Sequence, residues 1–222
     1  MAEAPRFNRW MADALLPYIT GDVLEIGAGI GNLTGMLANS SRYVAVDISP
    51  ENLAQLKTRL PHLTNLVTVP GDAANASHLQ AFCGQMDTVV CLNVLEHIQD
   101  DLAALRNMYS CIRRGGRALI LVPQGMRVFG TLDEMLGHCR RYSRRELERK
   151  MTSAGFRIER VIEFNRITYP GWFLNGRLLR RRSVSRIQLQ LFDLLVPLWR
   201  RIDRFLPWPP TSLIGIGVRD DY

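Results

Sequence analysis

Val23-Leu-Glu-Ile-Gly-Ala-Gly-Ile-Gly-Asn-Leu-Thr34 is an apolar run that breaks into glycines at positions 27, 29 and 31. Such a run describes a buried strand followed by a loop stripped of Cβ atoms, whose main chain a ligand can approach directly. The chain then regains an apolar pattern and reaches Tyr43-Val-Ala-Val-Asp47, a second short strand closed by a carboxylate about twenty residues past Gly27. A carboxylate in that place can hold a ribose diol.

The third glycine separates two kinds of nucleoside site. Dinucleotide folds need Gly-x-Gly-x-x-Gly to bring a helix start up to a pyrophosphate, whereas here Gly31 follows Ile30 and Asn32 comes next. Glu25, two residues before the first glycine, would repel a pyrophosphate and suit a ligand carrying positive charge, of which S-adenosylmethionine is one. A tight strand-to-helix turn without a ligand is the plainer alternative.

With these residues the chain resembles the class I S-adenosylmethionine-dependent methyltransferases over most of its first 160 residues. The resemblance implies that Glu25, Gly27, Ala28, Gly29 and Gly31 wrap the methionine part of the cofactor and that Asp47, with Ile48 beside it, takes the ribose. It further implies that Asp72 and Ala73 of Gly71-Asp-Ala meet the adenine and that Asn93 and Val94, after the apolar run Thr88 to Leu92, lie near the cofactor. Arg113-Arg-Gly-Gly-Arg-Ala-Leu-Ile-Leu-Val-Pro123 resembles the family's turn and fifth strand.

Composition agrees. A chain of 222 residues, 47% hydrophobic and 22% charged, can bury one sizeable core, and alternating strand and helix patterns favour a single α/β domain over 1–222. Cys83, Cys91, Cys111 and Cys139 show no Cys-x-x-Cys spacing, so neither a zinc site nor a disulfide framework is indicated and a reducing cytoplasm fits. Met1 to Tyr18 mixes charged and aromatic residues, which argues against a secretion signal, and no window has the length of a membrane-spanning helix.

Periodicity places a first helix at about Arg6 to Leu16 and strands near Asp22 to Ile26, Tyr43 to Asp47, Leu66 to Val69, Thr88 to Leu92 and Ala118 to Val122. Ser143 reads as the N-cap of a helix that stops at Gly155, where Phe156 begins another strand, and Ser212 to Arg219 would complete the sheet. The expected architecture is a Rossmann-like class I methyltransferase fold: seven strands, mostly parallel, with an antiparallel last strand and a helical insertion before it. Ligands in such sheets bind beyond the carboxyl ends of the strands, where Gly27, Asp47, Asp72 and Asn93 should converge.

Two segments exceed the minimal fold. The loop 124–142 is dense in groups able to touch a substrate, and Arg140, Arg141 and Tyr142 are its substrate-side candidates together with His138; a solvated charged turn is the alternative. The stretch 168–210 reads as a helical pair interrupted at Pro197, with an apolar face and a fringe of arginines. It either caps the core or lies in a membrane surface through 177–206, where each arginine on anionic lipid would contribute roughly 1 kcal/mol.

Methyl transfer to oxygen or nitrogen is an in-line displacement that needs a base only if the acceptor keeps its proton. His97 and His138 are the catalytic candidates, although His97 could instead orient the following helix. The nearest likeness within the family is to ubiquinone-type O-methyltransferases, whose turn also ends in Leu-Glu-His. In some of these an acid three residues before the Glu helps hold a divalent ion; Asn93 stands there in this chain, so no obligatory metal is expected. The sequence therefore points to a small, lipid-like or quinone-type acceptor. Nucleic-acid or protein methylation docked through the arginines ranks lower because the arginines edge a strongly apolar helix, and a noncatalytic cofactor-binding module is the other rival. Oligomeric state is not legible.

Overall fold

The structure, a computed structural model, describes residues 4–183 and 185–220; the first three residues of the Met1 to Tyr18 stretch lie outside it. Seven strands form one sheet: β1 (Val23–Ile26), β2 (Tyr43–Asp47), β3 (Leu66–Pro70), β4 (Met86–Leu92), β5 (Ile112–Pro123), β6 (Arg157–Phe164) and β7 (Ser212–Val218). Their spatial order is β3-β2-β1-β4-β5-β7-β6. The first five pair in parallel, while β7 runs antiparallel to both β5 and β6, so the expected seven-stranded class I arrangement is present. β5 starts earlier than its apolar run, because Ile112 already pairs with Met86 ahead of a register shift.

The central strands are buried on both faces, which is why they read as continuous apolar runs. Alternation distributes their side chains between two cores. Leu24, Val44, Val89, Cys91, Ile120 and Leu213 pack with Leu105 and Met108 of α5 (Asp101–Cys111) and Leu147 of α7 (Arg144–Ser153). Val23, Tyr43, Val90, Leu119, Ile214 and Ile216 pack with Met11 and Leu15 of α1 (Pro5–Leu15) and Leu37 of α2 (Thr34–Leu37). Truncating a side chain as buried as Leu105 to alanine would cost roughly 2–5 kcal/mol. α7 starts as read, with Ser143 Oγ accepting from the Glu146 amide, and Gly155 takes a positive φ of 110° after it.

The chain runs from β1 outward through β2 and β3, and then returns to place β4 on the other side of β1. That reversal opens a crevice at the carboxyl ends of β1 and β4. The insertion comprises α8 (Tyr169–Trp172) with a wider π turn Phe173–Leu178, α9 (Arg186–Leu194) and α10 (Val196–Ile202), and its Trp172 lines a chamber that Asn93, after β4, and Pro123, at the end of β5, also border. Pro197 occupies the first turn of α10, where its missing N–H costs nothing, so the proline starts a helix and the break falls at Leu195. One side of the insertion docks on α1: the Phe7 amide donates to Asp193 Oδ1 at 2.9 Å, Phe7 meets Phe192 at 5.6 Å, and Arg200 pairs with Asp13 at 2.7 Å. Its other side is exposed. Of fourteen exposed large apolar side chains among the described residues, nine lie between Phe173 and Phe205, including Leu178, Ile187, Leu191 and Leu198. No helix among the described residues is long and apolar enough to cross a membrane.

Candidate active site

β1 gives way to a loop anchored on the neighbouring strand, since the amides of Gly27 and Ala28 both donate to the Val46 carbonyl at 2.7 and 3.1 Å. Gly27 and Gly29 hold φ of 72° and 56°, values that disfavour any side chain. The two glycines differ in what a Cβ would meet. On Gly27 it would fall 2.2 Å from Val94, whereas on Gly29 it would meet no protein atom within 4 Å. Gly29 therefore faces open space, a cavity of about 190 Å³ walled by Glu25, Ala28, Leu33, Leu92 and Asn93.

Glu25 enters this cavity from β1. It is buried and accepts hydrogen bonds from Thr34 Oγ1 at 2.6 Å and the Tyr43 hydroxyl at 3.0 Å. Burial pushes its carboxyl up to about 7, with the charge of Asp47 adding to the effect and the two hydroxyls opposing it. Asp47 closes β2 with its carboxylate already engaged: Oδ2 takes the Gly29 amide at 2.7 Å, and Oδ1 takes the Ser49 amide and Asn52 Nδ2. The acid thus shapes the glycine loop, holding it against the end of β2. Ile48 is 74% exposed beside it, an apolar surface free to cover a planar ring.

Asp72 follows β3; its Oδ1 accepts the Ala74 amide, and the Ala73 carbonyl accepts from Asn107. Asn93 follows β4 with φ of 55°, its amide donating to the Leu121 carbonyl. Asp47 and Ile48 stand at the end of β2 and Asp72 and Ala73 just past β3; none of them, nor Gly31 in the loop after β1, walls the 190 Å³ cavity. Val94 abuts Gly27.

Asn93 also borders a second chamber of about 290 Å³ lined by Phe7, Met11, Leu136, Trp172, His97, His138, Arg141 and Asn165. Three sequence candidates meet here. His138 Nδ1 lies 2.9 Å from Asp133 Oδ1, and its Nε2 lies 3.8 Å from Glu96 Oε1. His97 Nδ1 contacts the Gly137 carbonyl at 3.1 Å, and its ring stands edge-on to His138 at 4.9 Å. Burial, reinforced by His138, lowers the His97 pKa. Arg141 is buried; its Nε donates to Asp133 at 2.7 Å and Nη1 to the Gln124 carbonyl at 3.1 Å, and its guanidinium lies 4.7 Å from the Trp172 ring centroid. Asp133 resists the upward push of burial and stays below the usual carboxylate range through bonds from His138 and Arg141.

Arg140 and Tyr142 depart from expectation. Tyr142 bridges in parallel to Gln124, so this segment is extended and successive side chains point to opposite sides. Arg141 faces the chamber. Tyr142 turns into the core, fully buried, its hydroxyl donating to Asp101 Oδ2 at 2.7 Å. Arg140 also pairs with Asp101, at 2.8 Å, where Lys150 joins them. Neither residue lines the chamber, and both serve the packing of α5 against α7.

The sequence reading missed Asp133, Asn165, Trp172, Phe7 and the role of Glu96. Glu96 is wholly buried, no donor reaches either of its oxygens, and burial raises its pKa to about 8 against the pull of Arg141. Glu96, His97 and His138 offer one oxygen and two nitrogens within 4.8 Å of one another. With each Nδ1 anchored on an oxygen, both Nε2 atoms are available, an orientation common at divalent-metal sites. The expectation of no obligatory metal rested on Asn93; the third donor, His138, comes from a loop more than forty residues away.

A methyltransferase-domain profile matches residues 6–161. The chain belongs to the class I S-adenosylmethionine-dependent methyltransferases. It is 27% identical over 145 residues to a "Probable S-adenosylmethionine-dependent methyltransferase" of Mycolicibacterium smegmatis, covering 62% of this chain and 52% of that protein. It is 33% identical over 100 residues to the ubiquinone biosynthesis O-methyltransferase of Xanthomonas euvesicatoria, covering 44% and 41%. The match thus spans about half or less of these relatives' lengths. A solved S-adenosylmethionine-dependent methyltransferase from Mesorhizobium loti superposes with a TM-score of 0.65 at 15% identity, covering 96% of this chain and 98% of the other, a likeness of fold.

S-adenosylmethionine is the cofactor of this methyltransferase. The site fits it: a cationic sulfonium and ammonium group suits the buried Glu25, and the open face of Gly29 admits close approach.

Proposed function

We propose that this methyltransferase transfers the methyl group of S-adenosylmethionine to a hydroxyl of a small amphipathic acceptor held between Asn93 and Trp172. The observation that carries the proposal is the Asp133–His138 pair facing a mostly apolar chamber that adjoins the cofactor loop. Asp133 accepting from Nδ1–H fixes the tautomer in which Nε2 holds a lone pair toward the chamber. As the oxygen attacks the methyl carbon, a C–O bond forms and the C–S bond breaks, leaving S-adenosylhomocysteine; the hydroxyl proton passes to His138 Nε2. Arg141, held by Asp133 and Gln124, places positive charge where the acceptor oxygen becomes negative. Glu96, His97 and His138 are also the residues that would hold a divalent cation; in that case His138 Nε2 would be a ligand and not the base, and the cation would polarise the acceptor oxygen in its place.

An apolar chamber favours a lipophilic acceptor, and the partial likeness to a ubiquinone biosynthesis O-methyltransferase supports a quinone-type ring. The exposed leucines and arginines of 177–206 suit contact with an anionic membrane surface, from which such an acceptor would be drawn. Incubation with methyl-labelled S-adenosylmethionine and a total lipid extract should move label into the organic phase, and Asp47→Ala should reduce that transfer. Label found only in RNA or protein would refute the assignment.

A further inference from the structure

Beyond the chamber at His138 lies another of about 300 Å³, and the two share Phe7, Asn165 and Trp172 as a neck. The outer chamber is walled by Leu132, Ile167, Leu189 and Phe192 and sits beneath the insertion. The three cavities therefore follow in series: cofactor loop, acceptor chamber, apolar outer chamber. Asn165 stands at the second junction, 5% exposed, with φ of 66° and a side-chain oxygen that no donor reaches. An unpaired buried carbonyl in a left-handed turn is costly on both counts, and a ligand donor at the neck would relieve the first.

We infer that the outer chamber is a binding site for the tail of the acceptor, and that Asn165 reads an N–H or O–H group linking head to tail. This rests on the proposed function and specifies its substrate class: a compact hydroxylated head, a hydrogen-bond donor next to it, and one apolar chain. The head stops at His138 while the chain passes between Phe7 and Trp172. Leu132 and Leu189 then measure its length.

The test uses N-alkyl 4-hydroxybenzamides, from methyl to decyl, and the matching alkyl 4-hydroxybenzoate esters, which lack the donor. Each is titrated calorimetrically into protein saturated with S-adenosylhomocysteine. Affinity should rise with each methylene, by up to about fourfold, and level off once the outer chamber is full. Amides should bind about tenfold tighter than esters of equal length. Asn165→Leu should erase that preference and keep the dependence on length. Gly171→Leu, whose new side chain starts from a Cβ in open space, should bring the plateau several carbons earlier; Leu189→Trp repeats this test from α9.

Length-independent affinity, no binding of either series, or an unchanged plateau in both blocking variants would overturn the tail site. An equal amide preference in wild type and Asn165→Leu would overturn the role of Asn165. Failure of S-adenosylhomocysteine itself to bind would instead strike at the proposed function, so the two failures are separable.

Discussion

Replacing Glu25 by glutamine should remove most of the pH dependence of S-adenosylmethionine binding below neutrality. Moving this carboxyl from 4.5 to about 7 corresponds to about 3 kcal/mol of selective cost to the anion inside the empty pocket. A bound sulfonium and ammonium repay that cost by pairing with the anion, so the cofactor prefers the deprotonated protein. Affinity should accordingly rise about tenfold per pH unit from 5.5 to 6.5 and flatten above 7, with a proton released on binding. Calorimetry in two buffers of different ionisation enthalpy counts that proton. In the absence of ligand the sign for folding is opposite. The folded chain keeps a proton that the unfolded chain releases above 4.5, so Glu25 makes stability decline as pH rises from about 5 through 7, and Glu25→Gln should flatten the decline. Identical affinity slopes in wild type and Glu25→Gln, or proton uptake on binding, would refute the reasoning.

Gly29→Val should weaken S-adenosylhomocysteine binding more than tenfold and cost about 1–2 kcal/mol of stability, because a branched side chain at φ of 56° is strained and would project into the cofactor cavity; undiminished affinity would show that the loop is not a cradle. Tyr142→Phe should lower stability by about 1 kcal/mol in urea melts, since Asp101 retains Arg140 and Lys150, and leave acceptor KM unchanged. A rise in KM alone would return Tyr142 to the substrate side. The double change Ile187→Asp and Leu191→Asp should abolish flotation with anionic vesicles while moving stability by less than about 0.5 kcal/mol per site; unchanged flotation would exclude this face from lipid. Saturating Zn²⁺ or Mn²⁺ should raise the melting temperature of wild type, by the equivalent of about 2.7 kcal/mol at a hundredfold excess over Kd, and should fail to do so in Glu96→Ala. Equal shifts in both proteins would place the ion elsewhere.

The cofactor half was readable because its determinants are local. An apolar strand, three alternate glycines and a carboxylate at the next strand end follow one another between Val23 and Asp47, and each needs only its neighbours to define it. The acceptor half was readable only in part. Whether Arg140, Arg141 or Tyr142 faces the pocket depends on the register set by Gln124 opposite Tyr142, and nothing in the triplet itself specifies that pairing. The closeness of Glu96 to His138 was not legible because His138 joins it through a loop more than forty residues further on, and Asn165 carried no signal because its unpaired oxygen has meaning only beside a cavity. The insertion read as a helical pair interrupted at Pro197; the structure has α8 with its π turn, α9 and α10, and sequence could not show that one side is spent on α1 through Asp193 and Phe192.

The acceptor chamber takes walls from opposite ends of the chain, Phe7 on one side and Thr211 and Ser212 on the other, whereas the glycine-loop cavity is finished by Asn93. The two spaces thus meet at one residue, Asn93, so a change at the end of β4 would reshape both at once. The walls far from that meeting point, Phe7, Trp172 and Ser212, can vary in size without disturbing the glycine loop, which leaves room for divergence on one side of Asn93 and little on the other.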